Sequence, residues 1–107
     1  MGGERARGHL DLLLLGVLAG GPLHGYRVIA RLRERSGGTF DLPEGTVYPA
    51  LHRLEAEGML RSWWAELDGR RRRLYELTGA GARALSGGRD EWRRFAAGVE
   101  RVLEGRA

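Results

Sequence analysis

Two strand-like runs joined by Asp68-Gly69 constrain the fold of this 107-residue chain more than any other feature. The runs cover Leu60–Leu67 and Arg71–Leu77. Asp-Gly favours a tight two-residue turn whose backbone twist matches that of two antiparallel strands. The sequence therefore predicts one β-hairpin in the second half of the chain.

Helical patterns precede this hairpin. Apolar residues recur at helical spacing over Leu10–Leu18 and over about His24–Arg35. The third helix ends at Gly58, but its start has two candidates, because both Pro43 and Pro49 suit a first turn. We favour a short turn at Pro43, with Thr46 capping the helix proper. The expected buried face of this helix consists of Val47, Leu51 and Leu54.

A final helix follows the hairpin, with Thr78 as its cap, and runs toward Leu103. Gly87-Gly88 costs it about 2 kcal/mol relative to two alanines, which leaves open whether the helix continues, bends or restarts there. Three helices, a hairpin and a further helix are the order of a winged helix-turn-helix with one appended helix. We therefore predict a mainly α fold with a small β-hairpin, divided into a winged-helix DNA-binding domain (residues 8–77) and a C-terminal dimerisation helix (residues 78–107).

Composition argues against several classes of protein. The chain has no cysteine, which removes disulfides, thiol catalysis and cysteine-based zinc sites. The three histidines lack metal-binding spacing, and we find neither a phosphate-binding glycine loop nor a nucleophile–base motif. We therefore expect no catalytic residue, no metal and no cofactor. Without a signal peptide or a run of ~20 apolar residues, we expect a cytoplasmic protein that does not bind membranes.

Positive charge is concentrated beside the predicted turn. The net charge is +4, all 18 basic residues are arginines, and four of them, Arg70 to Arg73, are consecutive. Adjacent arginines repel one another, whereas DNA phosphates neutralise them with release of counterions. The hairpin is therefore predicted to bind phosphates, with a merely solvated turn as the alternative. Because Trp63 and Trp64 are adjacent in a strand, we expect one to pack inward and the other to be partly exposed.

The third helix is the predicted DNA-reading helix. In a helix-turn-helix, the second helix of the pair enters the major groove and the preceding helix crosses the DNA backbone. Tyr26 and Arg27 open the preceding helix, so we expect them to contact phosphates. An ordinary amphipathic helix pair with a polar outer face is the alternative. The residues expected on or beside the exposed face of the reading helix are Thr46, Tyr48, Pro49, His52 and Arg53.

These segments resemble the PadR-type transcriptional regulators over roughly Leu10 to Thr78. The resemblance implies a winged-helix repressor that binds an inverted-repeat operator as a dimer. It matches Tyr48 and its neighbours to the DNA-reading helix, and Gly69, Arg70, Arg71 and Arg72 to the wing, the β-hairpin of the fold. The matching segments are Gly45 to Leu60, Leu23-His24-Gly25-Tyr26, Asp68-Gly69-Arg70 and Arg73 to Thr78.

About 30 residues follow Thr78, so the chain resembles the short subclass with a single dimerisation helix. In some short members, the paired helices frame an apolar pore that holds drug-like ligands against tryptophans. The resemblance implies such a site for a small aromatic effector at Trp92, with Ala96 one turn later and Leu12 as a wall. Arg89, one turn earlier, makes the pore more polar. Simple packing of Trp92 in the dimer interface is the alternative.

The sequence thus predicts a homodimeric, sequence-specific DNA-binding repressor that a small-molecule effector releases from its operator. The effector would alter the spacing of the two reading helices or the flexibility of that spacing, since the helices must match half-sites about 34–36 Å apart. One alternative is a winged-helix protein-interaction module that binds an acidic partner. Another is a ligand-binding dimer that retains little DNA binding.

Overall fold

The computed structural model describes residues 2–105, with side chains from residue 8 onward. As predicted, the fold is mainly helical with a small β-sheet. The elements in chain order are α1 (Gly2–Leu18), β1 (Leu23–His24), α2 (Gly25–Arg35), α3 (Glu44–Ala56), β2 (Leu60–Leu67), β3 (Arg70–Leu77) and α4 (Gly79–Leu103).

The hydrophobic core lies where α1, α2 and α3 pack together against the sheet. The predicted buried face of α3 is confirmed, because Val47, Leu51 and Leu54 are all inaccessible or nearly so. Tyr75 of β3 and Leu60 of β2 close the core from the sheet side. The largest fully buried side chains are Leu14, Leu18, Val28, Val47, Leu51 and Leu54.

The hairpin forms as predicted, with β2 and β3 antiparallel from Leu60↔Leu77 to Leu67↔Arg70. Asp68 and Gly69 both have positive φ (54° and 76°), the backbone conformation that a two-residue turn of this kind requires. A third strand, β1, was not predicted; it pairs with the other edge of β3, which gives the sheet order β1-β3-β2. This pairing fixes the start of α2 beside the hairpin.

The start of α3 differs from the prediction that Thr46 caps the helix. Pro43 is the N-cap residue, and its carbonyl accepts the backbone N–H of Thr46 at 3.0 Å and of Val47 at 3.1 Å. The turn expected at Pro43 and the helix are therefore one continuous element. Pro49 lies inside it and cannot donate to the carbonyl of Gly45. Gly45 is exposed, so water can replace the missing donor.

Thr78 caps α4 as predicted: its hydroxyl accepts the N–H of Gly81 at 3.0 Å and donates to the carbonyl of Gly58 at 2.6 Å. The helix continues through Gly87-Gly88 without a break. A Cβ at Gly88 would lie 3.0 Å from Leu12 Cδ1, so the glycine lets α1 approach α4 closely. None of the described helices is both long and apolar enough to cross a membrane.

Candidate nucleic-acid interface

The start of α2, the outer face of α3 and the hairpin enclose a cleft of about 430 Å³. It contains Tyr26 from α2, Tyr48 and His52 from α3, and Trp64 and Arg71 from the hairpin. The sequence separates these residues by up to 45 positions, and β1 brings them together by tying α2 to β3. The cleft therefore joins the predicted reading helix to the predicted wing.

Tyr48 lies half-buried against the first residue of α2. A Cβ at Gly25 would collide with Cε1 of the Tyr48 ring, so only glycine leaves room for the ring in this position. Burial is the main reason that the pKa of the Tyr48 phenol is raised, so the hydroxyl stays protonated and can donate as well as accept. Tyr26, by contrast, is 62% exposed.

His52 lies one turn beyond Tyr48 and is exposed. Its ring centroid is 6.4 Å from that of Tyr75, with the planes inclined at 37°. Thr46 and Pro49 are also exposed on α3. These side chains give the helix an outward surface of one hydroxyl, one imidazole and one apolar ring, with Tyr48 set deeper in the cleft.

Arg53, a predicted DNA-binding residue, is held by an ion pair with α1. Its guanidinium donates two hydrogen bonds to the Asp11 carboxylate of α1, at 3.0 and 2.6 Å. These hydrogen bonds raise the pKa of Arg53. Burial opposes this shift, and the negative charge of Asp11 adds to it. Glu57 lies 3.8 Å from the same guanidinium. Arg53 therefore links α3 to α1 rather than opening into the cleft.

The wing arginines fall into two groups. Arg70, Arg71 and Arg72 form no ion pair with any of the described residues 8–105. Arg73, in contrast, donates to the Ser62 hydroxyl at 2.9 Å and lies 3.6 Å from Glu55 of α3. The positive charge of the wing is thus uncompensated near the turn and partly compensated near the core.

The positive charge of the wing also affects the start of α2. His24 caps α2 by accepting the N–H of Arg27 on Nδ1 at 3.3 Å. Burial, followed by the charges of Arg72 and Arg27, lowers the pKa of His24, which favours the neutral imidazole that the cap requires. The Arg27 side chain lies 3.5 Å from Glu34 on the same helix.

The expectation that one of the two adjacent tryptophans packs inward is wrong. Trp63 is 37% exposed and Trp64 is 52% exposed, on opposite faces of the hairpin. The Trp64 ring lies 5.0 Å from the guanidinium carbon of Arg71 and 5.4 Å from that of Arg73. Trp64 and Gly25 were missed as site residues. The alternation of strand faces could have indicated Trp64, but the contact of Gly25 depends on the tertiary fold.

The predicted effector residues lie in two places. Leu12 and Arg89 line a groove of about 450 Å³ between α1, α2 and α4. Trp92 lies farther along α4, where its ring meets His9 at 5.4 Å and Phe95 at 5.9 Å. Ala96 is half-buried one turn beyond it. Of the four residues, Leu12 and Arg89 therefore line the groove between α1, α2 and α4, and Trp92 and Ala96 are not among its lining residues. Among the described residues, we find no cluster of three potential ligands that could hold a metal ion.

The profile of the Transcriptional regulator PadR-like family matches residues 14–87, which include α2, α3, the hairpin and the first part of α4. The chain belongs to this family. It is 46% identical over 63 residues to Transcriptional regulator Rv3488 of Mycobacterium tuberculosis, in a match covering 59% of this chain and 46% of that protein.

Solved structures of family members share the fold. A PadR family transcription regulator from Clostridium difficile superimposes with a TM-score of 0.80 and 32% identity, over 89% of this chain and 98% of that one. Bacillus subtilis PadR, whose structure contains operator DNA, gives a TM-score of 0.66 and 26% identity over 73% of this chain and 45% of that one. Family and fold are those of winged-helix transcriptional regulators.

Proposed function

We propose that this chain is a sequence-specific repressor that binds an inverted-repeat operator as a homodimer. The observation that most supports DNA binding is the juxtaposition of uncompensated wing arginines with the polar outer face of α3. Such a surface offers charge to phosphates and hydrogen-bonding groups to base edges. Bacillus subtilis PadR, a relative of the same fold, binds operator DNA.

In this proposal, residues 8–77 bind DNA. The exposed face of α3 enters the major groove, with Thr46, Tyr48, Pro49 and His52 at the bases. The second group contacts phosphates and consists of Tyr26, Arg27, Gly69, Arg70, Arg71 and Arg72. We leave Arg53 out of the interface, since its guanidinium is held by Asp11.

Residues 78–107 form the proposed dimer interface. The far half of α4 carries a stripe of apolar side chains that are between 37% and 78% exposed: Trp92, Phe95, Val99, Val102 and Leu103. A contiguous exposed apolar surface of this kind marks an interaction site. In a two-fold dimer the same stripe serves both partners, and the two copies hold the reading helices at a fixed separation.

We further propose that a small aromatic effector releases the repressor in the cytoplasm. Trp92 supplies a half-exposed ring on which a planar compound can stack. Leu12 and Arg89 belong to the neighbouring groove, and Ala96 continues the surface beyond Trp92. Dimer formation would be needed to bring the groove and the stripe into one site. If Trp92 only packs the interface, replacing it by alanine weakens the dimer and no planar compound changes operator binding.

The same basic surface also suits an acidic protein partner. Selection of bound sequences from random duplex DNA separates the two functions. The repressor enriches an inverted repeat, whereas a protein-interaction module enriches no sequence.

The wing supplies the quantitative test of DNA binding. Arg72→Ala should lower the slope of log affinity against log salt by about 0.9, because one phosphate contact is lost. Arg94→Ala on α4 removes the same charge away from the cleft and should leave the slope unchanged. Equal slopes in the parent, Arg72→Ala and Arg94→Ala proteins would remove Arg72 from the interface.

A further inference from the structure

The indole of Trp64 lies beside two arginines, Arg71 and Arg73, whose surroundings differ. On one face of the hairpin, β2 and β3 bring Trp64 opposite Arg73 and place Arg71 two residues farther along. Both guanidiniums lie within the distance at which a cation is attracted to the face of an aromatic ring. Trp64 is the largest side chain in this part of the cleft, yet about half of its surface is exposed. Its burial in the core therefore does not account for its presence.

Arg73 is fixed to the reading helix. Its Nε donates to Ser62 Oγ at 2.9 Å, and Ser62 Oγ donates to Glu55 Oε2 of α3 at 2.6 Å. The same carboxylate oxygen lies 3.6 Å from the Arg73 guanidinium. These contacts connect β2, β3 and the second half of α3. The Arg73 side chain, fixed in this way, restrains the Trp64 ring relative to the reading helix.

Arg71 has no such anchor. Its neighbour across the strands is Glu66, but the two side chains form no ion pair. Among the described residues, the Arg71 guanidinium approaches the Trp64 ring, with 5.0 Å between the guanidinium carbon and the ring centroid. A long arginine side chain without a partner loses conformational entropy when it binds a phosphate. A ring that already restrains the guanidinium reduces this loss.

We propose that Trp64 is a positioning residue for DNA binding, which fixes the Arg71 guanidinium on the α3 side of the wing. Through Arg73, Ser62 and Glu55, the ring also fixes this charge relative to α3. The phosphate that Arg71 contacts is then set by the position of the reading helix. This inference rests on the proposed DNA binding and adds to it a role for an uncharged residue.

The test uses the full chain and a random-sequence DNA duplex, with affinity measured over a range of salt concentrations. Trp64→Leu changes no charge, yet it should lower the salt slope by up to about 0.9, because Arg71 no longer maintains its phosphate contact. It should also weaken binding about two- to fivefold at fixed salt, as loss of an exposed cation–π contact predicts. Trp64→Phe keeps an aromatic face and should restore most of the slope.

Trp63→Leu is the matched control, since Trp63 is the neighbouring half-exposed tryptophan on the opposite face of the hairpin. It should leave the salt slope unchanged. In a chain that already carries Arg71→Ala, Trp64→Leu should lower the slope no further, because the contact that it supports is absent. Thermal unfolding of each variant checks the fold, and Trp64→Met replaces Trp64→Leu if the latter unfolds.

The proposal is overturned if Trp64→Leu weakens binding but leaves the slope unchanged, since the ring would then contact DNA itself. It is equally overturned if Trp63→Leu lowers the slope as much, or if the Trp64 and Arg71 changes add. Failure of the proposed function gives a different result, because the parent protein would then enrich no sequence from random duplex DNA, whatever its salt slope.

Discussion

The cleft between α3 and the wing and the far half of α4 are both exposed, but they are built differently. In the cleft, residues of the same chain restrain the groups that face solvent: the Tyr48 ring packs against the backbone at Gly25, and the Trp64 ring lies beside Arg71 and Arg73. Along α4, the side chains of the apolar stripe from Trp92 to Leu103 remain at least one-third exposed. The cleft is therefore organised within a single chain, whereas we propose that a second copy of the chain covers the stripe.

This difference predicts that substitutions in the two regions have distinct effects. Substitutions in the cleft should alter DNA affinity without changing the oligomeric state. Substitutions in the stripe should dissociate the dimer while each chain keeps its affinity for a single half-site.

We expect the largest effect from Val99→Asp on α4. Two-fold symmetry places the new carboxylate in the interface twice, and an unpaired buried charge costs several kcal/mol. The dissociation constant of the dimer, measured by sedimentation, should rise at least about a hundredfold. Ala97→Asp is the control, because Ala97 is exposed on the opposite side of the helix. A dimer that tolerates Val99→Asp as well as Ala97→Asp would contradict the proposed interface.

Gly25→Ala should have the next largest effect, this time on the cleft. The added Cβ collides with the Tyr48 ring, so the ring must move or the start of α2 must shift. We expect a loss of about 1–3 kcal/mol in the free energy of unfolding and weaker operator binding, with an unchanged dimer constant. In a Tyr48→Ala background, the same change should cost much less. An equal cost in both backgrounds would show that Tyr48 does not need this glycine.

Arg53→Met is expected to have a small effect, and on stability alone. It removes a bidentate but partly solvated ion pair with Asp11, which should lower the free energy of unfolding by about 1 kcal/mol. Asp11→Asn should cost a similar amount, and the two changes together should cost less than their sum. The sequences enriched from random DNA should stay the same. Altered sequence preference with unchanged stability would return Arg53 to the interface.

Local sequence signals predicted the elements of the fold well. Asp68-Gly69 located the hairpin, because a two-residue turn with positive φ admits few other dipeptides. Helical spacing predicted the buried side of α3, with Val47, Leu51 and Leu54. β1 was missed because two residues are too short for a period of two to be visible. The start of α3 was placed too late because Pro49, which favours a first turn, is tolerated inside the helix next to exposed Gly45.

The candidate site was harder to predict, because its residues depend on partners far away in the sequence. Arg53 is polar and lies beside an exposed face, so the sequence alone suggested DNA contact; its partner Asp11 is 42 residues away. The packing of the Tyr48 ring against Gly25 is likewise a contact between two helices, α3 and α2. The arginine run, in contrast, predicts a phosphate-binding wing from charge alone, without tertiary information, and this stays a prediction.

The most direct test of the account is the dependence of affinity on half-site spacing. Once a half-site has been selected from random DNA, two inverted copies are placed at increasing separations and the affinity of the full chain is measured. We predict one optimum near a whole number of helical turns, about 10–10.5 base pairs or a multiple between half-site centres. Five extra base pairs should reduce binding to the level of a single half-site. Equal affinity at every spacing would contradict a dimer that holds two reading helices at a fixed separation.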